Sequence, residues 1–117
     1  MTDQLDLFEI LRAKEILDNP DEEYTLFQYQ VDAVGTLGPD RNPLLLALGV
    51  GGEAGEVMEI IKKGNRPGRE IDIPHLKEEL GDVLWYLAVL ADFYDLDLEE
   101  IALDNIDKLN KRYPKSA

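Results

Sequence analysis

The 117-residue sequence contains no cysteine, which excludes disulfides and thiolate-bound metal or redox centres. Basic residues are scarce: 12 Lys and Arg stand against 25 Asp and Glu, a formal net charge of −13. Such a surface repels phosphate backbones and anionic lipid, so neither a nucleic acid nor a membrane is an expected partner. No apolar run approaches the length of a membrane span, and the opening residues MTDQLDLFEI lack the basic-then-apolar signature of a secretory signal. A cytoplasmic protein is the expectation. Histidine and tryptophan occur once each, at His75 and Trp85, and no serine stands in a nucleophilic context. His75 falls in the first turn of a helical stretch and reads as a surface residue. Alternation of the strand type and internal repeats are also missing.

What is present is helical periodicity, with an apolar share of 44%, ordinary for a folded chain. The length suits a single domain over residues 1–117, small enough that a partner chain can complete its core. Punctuation divides it into five helical stretches, an all-α bundle. The first covers residues 4–18, with Leu7, Leu11 and Leu17, and stops at Asn19-Pro20. Thr25-Leu26-Phe27-Gln28 has the form of a capping box and opens a helix to about Leu37. Asn42-Pro43 caps and starts a third helix that ends at Gly64. After the loop NRPGREIDIP, Pro74 begins a helix to about Tyr94. Asp97 caps a last one that ends before Pro114.

The third stretch, GVGGEAGEVMEIIKKG, carries glycines at 49, 51, 52 and 55, each costing about 1 kcal/mol in a helix interior. They remove side chains where a neighbouring helix or a substrate must approach the backbone. The same stretch sets Glu53 in the centre of an apolar arc. At about 100° per residue, Leu46, Val50, Val57 and Ile60 fall within about 60° of it, with Glu56 at the edge and Glu59 and Lys62 pointing away. The next helix repeats the arrangement: Glu79 lies among Leu76, Val83, Tyr86 and Leu90, and Asp82 sits at the border. Either pair alone is read most simply as a solvated face or a neutral buried acid. Two such pairs, on arcs that carry no lysine or arginine, are different. Converging carboxylates repel one another, and a hard divalent cation relieves the repulsion. Oxygen-only ligands suit magnesium, manganese or calcium, not zinc.

The last helix carries a complementary stripe of Asn105, Lys108 and Arg112 beside Ile101, Leu98 and Leu109. Cations beside a magnesium site are natural phosphate anchors, although Lys108 alone could pair with Asp104. Lys62 and Lys63 suit the C-terminal end of their helix, and Lys63 lies closer to the acidic face.

YQVDAVGT, GEAGEVMEIIKK, LKEELGDVLWYLAVLA and NIDKLNKRYP, in that order along residues 24–114, closely resemble the MazG-like nucleoside triphosphate pyrophosphohydrolases. That all-α superfamily has the pattern Glu-Glu-x-x-Glu, a spacer, then Glu-x-x-Asp. The resemblance implies magnesium-dependent cleavage of a nucleoside triphosphate between the α and β phosphates, giving the monophosphate and pyrophosphate. It implies metal ligands Glu53, Glu56, Glu79 and Asp82. It also implies phosphate contacts from Asn105 and Lys108, with Arg112 and Tyr113 alongside. One departure stands out: Gly52 replaces the first acid of the pattern, which bears on the number of metals held. Related sequences include members acting on phosphoribosyl-ATP, so the substrate stays open.

Within that chemistry, magnesium is the expected cofactor, with manganese as a substitute. Glu53 or Glu56 is the candidate general base. Tyr86, Tyr29 and Gln30 are candidates for contact with the base, Tyr86 first because it lies within the carboxylate arc. A rival class is a catalytically silent helical module that binds nucleotide or protein, kept alive by Gly52. Trp85, Ala88 and Val89 lie off the Glu79 face, and together they predict an apolar patch that pairs two chains. The resemblance implies the same assembly, a homodimer or dimer of dimers whose pairing completes the core.

Overall fold

The computed structural model describes residues 23–39 and 41–115. They form four helices with no strand among the described residues: α1 (Leu26–Gly35), α2 (Pro43–Gly64), α3 (Ile73–Phe93) and α4 (Leu98–Arg112). The all-α expectation holds, and each boundary falls within two residues of the position its punctuation indicates. The helix expected over residues 4–18 lies outside the described residues.

Local chemistry accounts for the ends. Thr25 Oγ1 accepts from the Gln28 N–H at 3.0 Å and caps α1. Asn42 Oδ1 accepts from Leu44 N–H at 3.0 Å, with Pro43 in the first turn where its missing donor is not needed. Asp72 caps α3 through the His75 N–H at 3.1 Å, and Asp97 caps α4 through the Glu99 N–H at 2.9 Å. Each cap of this type contributes about 1 kcal/mol. The C-terminal end of α3 closes in a Schellman arrangement, Leu96 N–H to Ala91 O and Asp95 N–H to Asp92 O. Asp95 takes the left-handed conformation at φ 57°, a position usually given to glycine and one that aspartate tolerates.

α3 is the central helix. It packs along α2 on one side and against α1 and the start of α4 on the other, whereas α2 and α4 do not touch. The core comprises Ala33, Leu46, Ala88, Val89 and Leu98, with Leu84, Trp85, Tyr86 and Phe93 packed around it. Gln30, buried within α1, joins three elements. Its Nε2 donates to Ala88 O and Leu96 O at 3.1 and 2.9 Å, and its Oε1 accepts from the Leu98 N–H at 2.9 Å. One side chain thereby ties α1 to the end of α3 and supplies the first turn of α4 with an acceptor. A buried amide is stable here because both of its polar atoms are engaged.

One expectation is overturned. Ala88 and Val89 are 0% and 1% exposed, and Trp85 is half-buried with its Nε1 donating to Thr36 Oγ1 at 2.8 Å. They are core beneath α1, not a patch awaiting a second chain. A single-face treatment of α3 misplaces them because this helix is buried on opposite sides. Exposed apolar side chains among the described residues include Leu44, Leu48 and Met58 on α2, Leu80 and Leu87 on α3, and Leu103 and Ile106 on α4.

The glycines divide. A β-carbon on Gly49 would overlap the Tyr86 ring, so that glycine allows α3 to seat an aromatic against the α2 backbone. Gly51, Gly52 and Gly55 have nothing within 4 Å of the corresponding position. For those three, close approach by a neighbouring helix is not the reason within this chain.

Candidate metal centre

Glu53 on α2 and Glu79 and Asp82 on α3 come together where the two long helices face each other. One carboxylate oxygen from each lies within 4.8 Å of the others. Glu53 and Glu79 are half-buried and Asp82 is exposed, so the cluster opens to solvent on the Asp82 side. The i, i+3 spacing of Glu79 and Asp82 puts both on one face of α3, and the α2–α3 packing brings Glu53 across from them. Glu56 is not one of the three, but its charge acts on Glu53 from one turn further along α2.

The electrostatics are those of crowded acids. A hydrogen bond to Glu79, then burial, then the charges of Glu79, Asp82 and Glu56 raise the Glu53 carboxyl from 4.5 to about 7. Glu79 Oε2 is buried and has no hydrogen-bond donor. Its other oxygen lies 3.3 Å from His75 Nε2, one turn back on α3. That orphaned oxygen can be satisfied in two ways. A proton on Glu53 can be donated to it, or a cation can sit among the three carboxylates. The donor set is oxygen alone, and two or three carboxylates with open positions left for water and phosphate are what magnesium or manganese accept. The residues present fit such an ion.

The other candidates take varied positions. Tyr29 lies beside the cluster: burial first, and the Asp82 charge second, hold its phenol above the usual range. Tyr86 lies in the α2–α3 interface over Gly49, edge-on to Trp85 with ring centroids 4.9 Å apart. Gln30 has its amide committed to the backbone of α3 and α4, which gives it an architectural task rather than a base to read. Asn105, Lys108 and Arg112 are exposed on α4, a helix that does not reach α2. Lys63 lies 3.7 Å from Glu59 and lines a cavity of about 330 Å³ between the end of α2 and the start of α3. Glu56 and His75 line it as well, so the cavity adjoins the acidic cluster, although Glu53, Glu79 and Asp82 do not line it. His75, read from sequence as a surface residue, is about half exposed yet touches Glu79. The i, i+4 spacing of His75 and Glu79 was the signal for that contact.

Residues 41–117 match the MazG nucleotide pyrophosphohydrolase domain, and the chain belongs to that family. It is 37% identical over 71 residues to the gene 37 protein of Mycobacterium phage L5, covering 57% of this chain and 62% of the phage protein. It is also 37% identical over 80 residues to dCTP pyrophosphatase 1 of Mus musculus and of Bos taurus, covering 63% of this chain and 47% of each enzyme. The chain thus spans about three-fifths of the phage protein and about half of each mammalian one. Among its described residues no helix is long and apolar enough to cross a membrane.

Proposed function

We infer that the protein is a magnesium-dependent nucleoside triphosphate pyrophosphohydrolase, cleaving a (deoxy)nucleoside triphosphate between its α and β phosphates to the monophosphate and pyrophosphate. The observation that carries this reading is the convergence of Glu53, Glu79 and Asp82 around a buried carboxylate oxygen without a donor. Family membership supports the same chemistry.

Glu53, Glu79 and Asp82 are the residues that would hold the metal. When bound, a divalent cation neutralises phosphate charge and acidifies an attacking water. Glu56 stands one turn from Glu53 and outside the three-acid group, so it is the carboxylate left free to take the water's proton. His75 orients Glu79 through its Nε2 contact. Lys63 offers a cation on the cavity side. Asn105, Lys108 and Arg112 reach a triphosphate only if it extends toward α4 or if a second chain presents them.

Two mammalian relatives are named dCTP pyrophosphatases, which makes a pyrimidine deoxynucleotide the first substrate to try. Tyr29, beside Asp82, and Tyr86 are the aromatic groups near enough to the acids to meet a nucleoside. A homodimer or dimer of dimers in the cytoplasm completes the proposal. The support is the exposed apolar surface of Leu44 (65%), Leu48 (64%) and Met58 (67%) on α2 and of Leu103 (65%) on α4.

A screen of the standard ribo- and deoxyribonucleoside triphosphates with magnesium, products separated by chromatography, tests the reading. Monophosphate plus pyrophosphate is expected. A diphosphate plus orthophosphate would mean cleavage at the terminal phosphate and would overturn it.

A further inference from the structure

The loop between α2 and α3 is more ordered in its chemistry than its composition suggests. Arg66-Pro67-Gly68-Arg69 forms a β-turn closed by Arg69 N–H to Arg66 O at 3.0 Å. Pro67 presets the second position, and Gly68 takes φ +75° at the third, the signature of a type II turn. A turn of this kind holds its end residues within about 7 Å of each other, so the two arginines are presented together by a rigid corner. Gly64 anchors the start of the loop, because a β-carbon there would meet Ile71 at 2.6 Å.

Both arginines line the cavity that Glu56 and His75 border beside the acidic cluster, and Lys63 lines it too. Four carboxylates line the cavity as well, Glu56, Glu59, Glu70 and Asp72, and two of them have other engagements. Glu59 lies within 3.9 Å of Lys62 and 3.7 Å of Lys63, and Asp72 caps α3. Neither Arg66 nor Arg69 forms an ion pair among the described residues. Two guanidinium forks left open at the wall of a cavity match phosphate oxygens in geometry and charge. The cavity volume, about 330 Å³, is at the lower end of the range for small-ligand sites.

We propose that the Arg66–Arg69 turn, with Lys63, clamps the terminal phosphates of a nucleoside triphosphate whose α phosphate lies at the acidic cluster, an inference that rests on the functional reading above. The cavity then places the substrate along the α2–α3 groove, with the cations on the leaving pyrophosphate and the acids on the reacting centre. Cations there stabilise charge that develops on the departing group, while α4 plays no part in holding it within one chain.

The experiment is calorimetric titration of inorganic pyrophosphate, in magnesium buffer and again in EDTA, into the wild type and into Arg66→Gln/Arg69→Gln. Both side chains are exposed, so the double variant keeps its fold, and a thermal melt checks this. In magnesium the clamp requires pyrophosphate affinity to fall about tenfold or more in the variant, the loss of one or two charge-assisted hydrogen bonds. The KM for the triphosphate should rise by a similar factor while nucleoside monophosphate binds unchanged. Equal pyrophosphate binding by the two proteins, or none by the wild type, overturns the clamp. The two readings fail separately. Arginine-dependent pyrophosphate binding without any triphosphate hydrolysis keeps the clamp and removes the enzyme. Hydrolysis with KM unchanged in the variant keeps the enzyme and removes the clamp.

Discussion

Glu53 of α2 and Glu79 of α3 face each other across the helix pair with carboxylate oxygens within 4.8 Å, close enough that a proton on Glu53 can be shared with Glu79. Acids shared in this way are stable at neutral pH only while that proton, or a cation in its place, stays between them. The relationship has consequences for stability that do not depend on any assay of turnover.

The first concerns pH. Glu53 is raised in the folded protein to about 7 from 4.5. Between those values the unfolded chain has released a proton that the folded chain retains. Stability from this group is therefore complete below the lower value, declines as pH rises toward 7, and is lost above it. Thermal melts in EDTA at pH 5 and pH 8 should show this decline in the wild type, and a smaller one in Glu53→Gln. Parallel curves for the two proteins would remove Glu53 as the titrating group.

Substitution of the acids gives a second test. Glu53→Gln, Glu79→Gln and Asp82→Asn should each abolish turnover. In EDTA at pH 8 each should leave the melting temperature unchanged or higher, because each removes one charge from a repelling cluster. If the acids instead served as structural ion-pair partners, each change would cost about 3–5 kcal/mol. A marked fall in melting temperature for all three would point to that structural role.

Gln30 offers a prediction about architecture alone. Gln30→Ala removes three hydrogen bonds and takes its acceptor from the buried Leu98 N–H. Destabilisation of about 2–4 kcal/mol is expected, read from urea unfolding. Loss of activity in proportion to the unfolded fraction, with KM unchanged, would fit its placement. A raised KM with stability intact would restore it as a group that contacts the base.

The glycines of α2 should respond oppositely to the same change. Gly49→Ala pushes a methyl group into the Tyr86 ring, an overpacking cost of about 1–3 kcal/mol set against a helix-propensity gain of about 1 kcal/mol. Gly52→Ala meets open space and should gain up to about 1 kcal/mol. Chemical denaturation of the two variants beside the wild type settles the signs; destabilisation by Gly52→Ala would mean that something covers α2 there, a second chain foremost.

These residues also show how much of the structure was legible in the sequence. Helix ends were, because Thr25, Asn42 and Asp97 act on donors two or three residues away, within the reach of local chemistry. The inward direction of Glu53 and Glu79 was legible too, since helical periodicity alone sets the arc. Which neighbour covers which arc was not. Val89 and Ala88 became core because α3 lies between α2 and the α1–α4 pair, and no single-helix pattern encodes that. Gln30 looked like a polar group available to a ligand, whereas its partners lie 58 to 68 residues away in sequence. Gly49 and Gly52 look alike in sequence and differ only by which of them faces Tyr86.

The central claim is that the three converging carboxylates form a cation site, and titration of manganese into the metal-free protein measures it most directly. Calorimetry at pH 7.5 should show saturable binding to the wild type and none, or binding weakened at least about tenfold, in Glu79→Gln. Binding of equal strength in both proteins, or no binding to the wild type, would contradict the account.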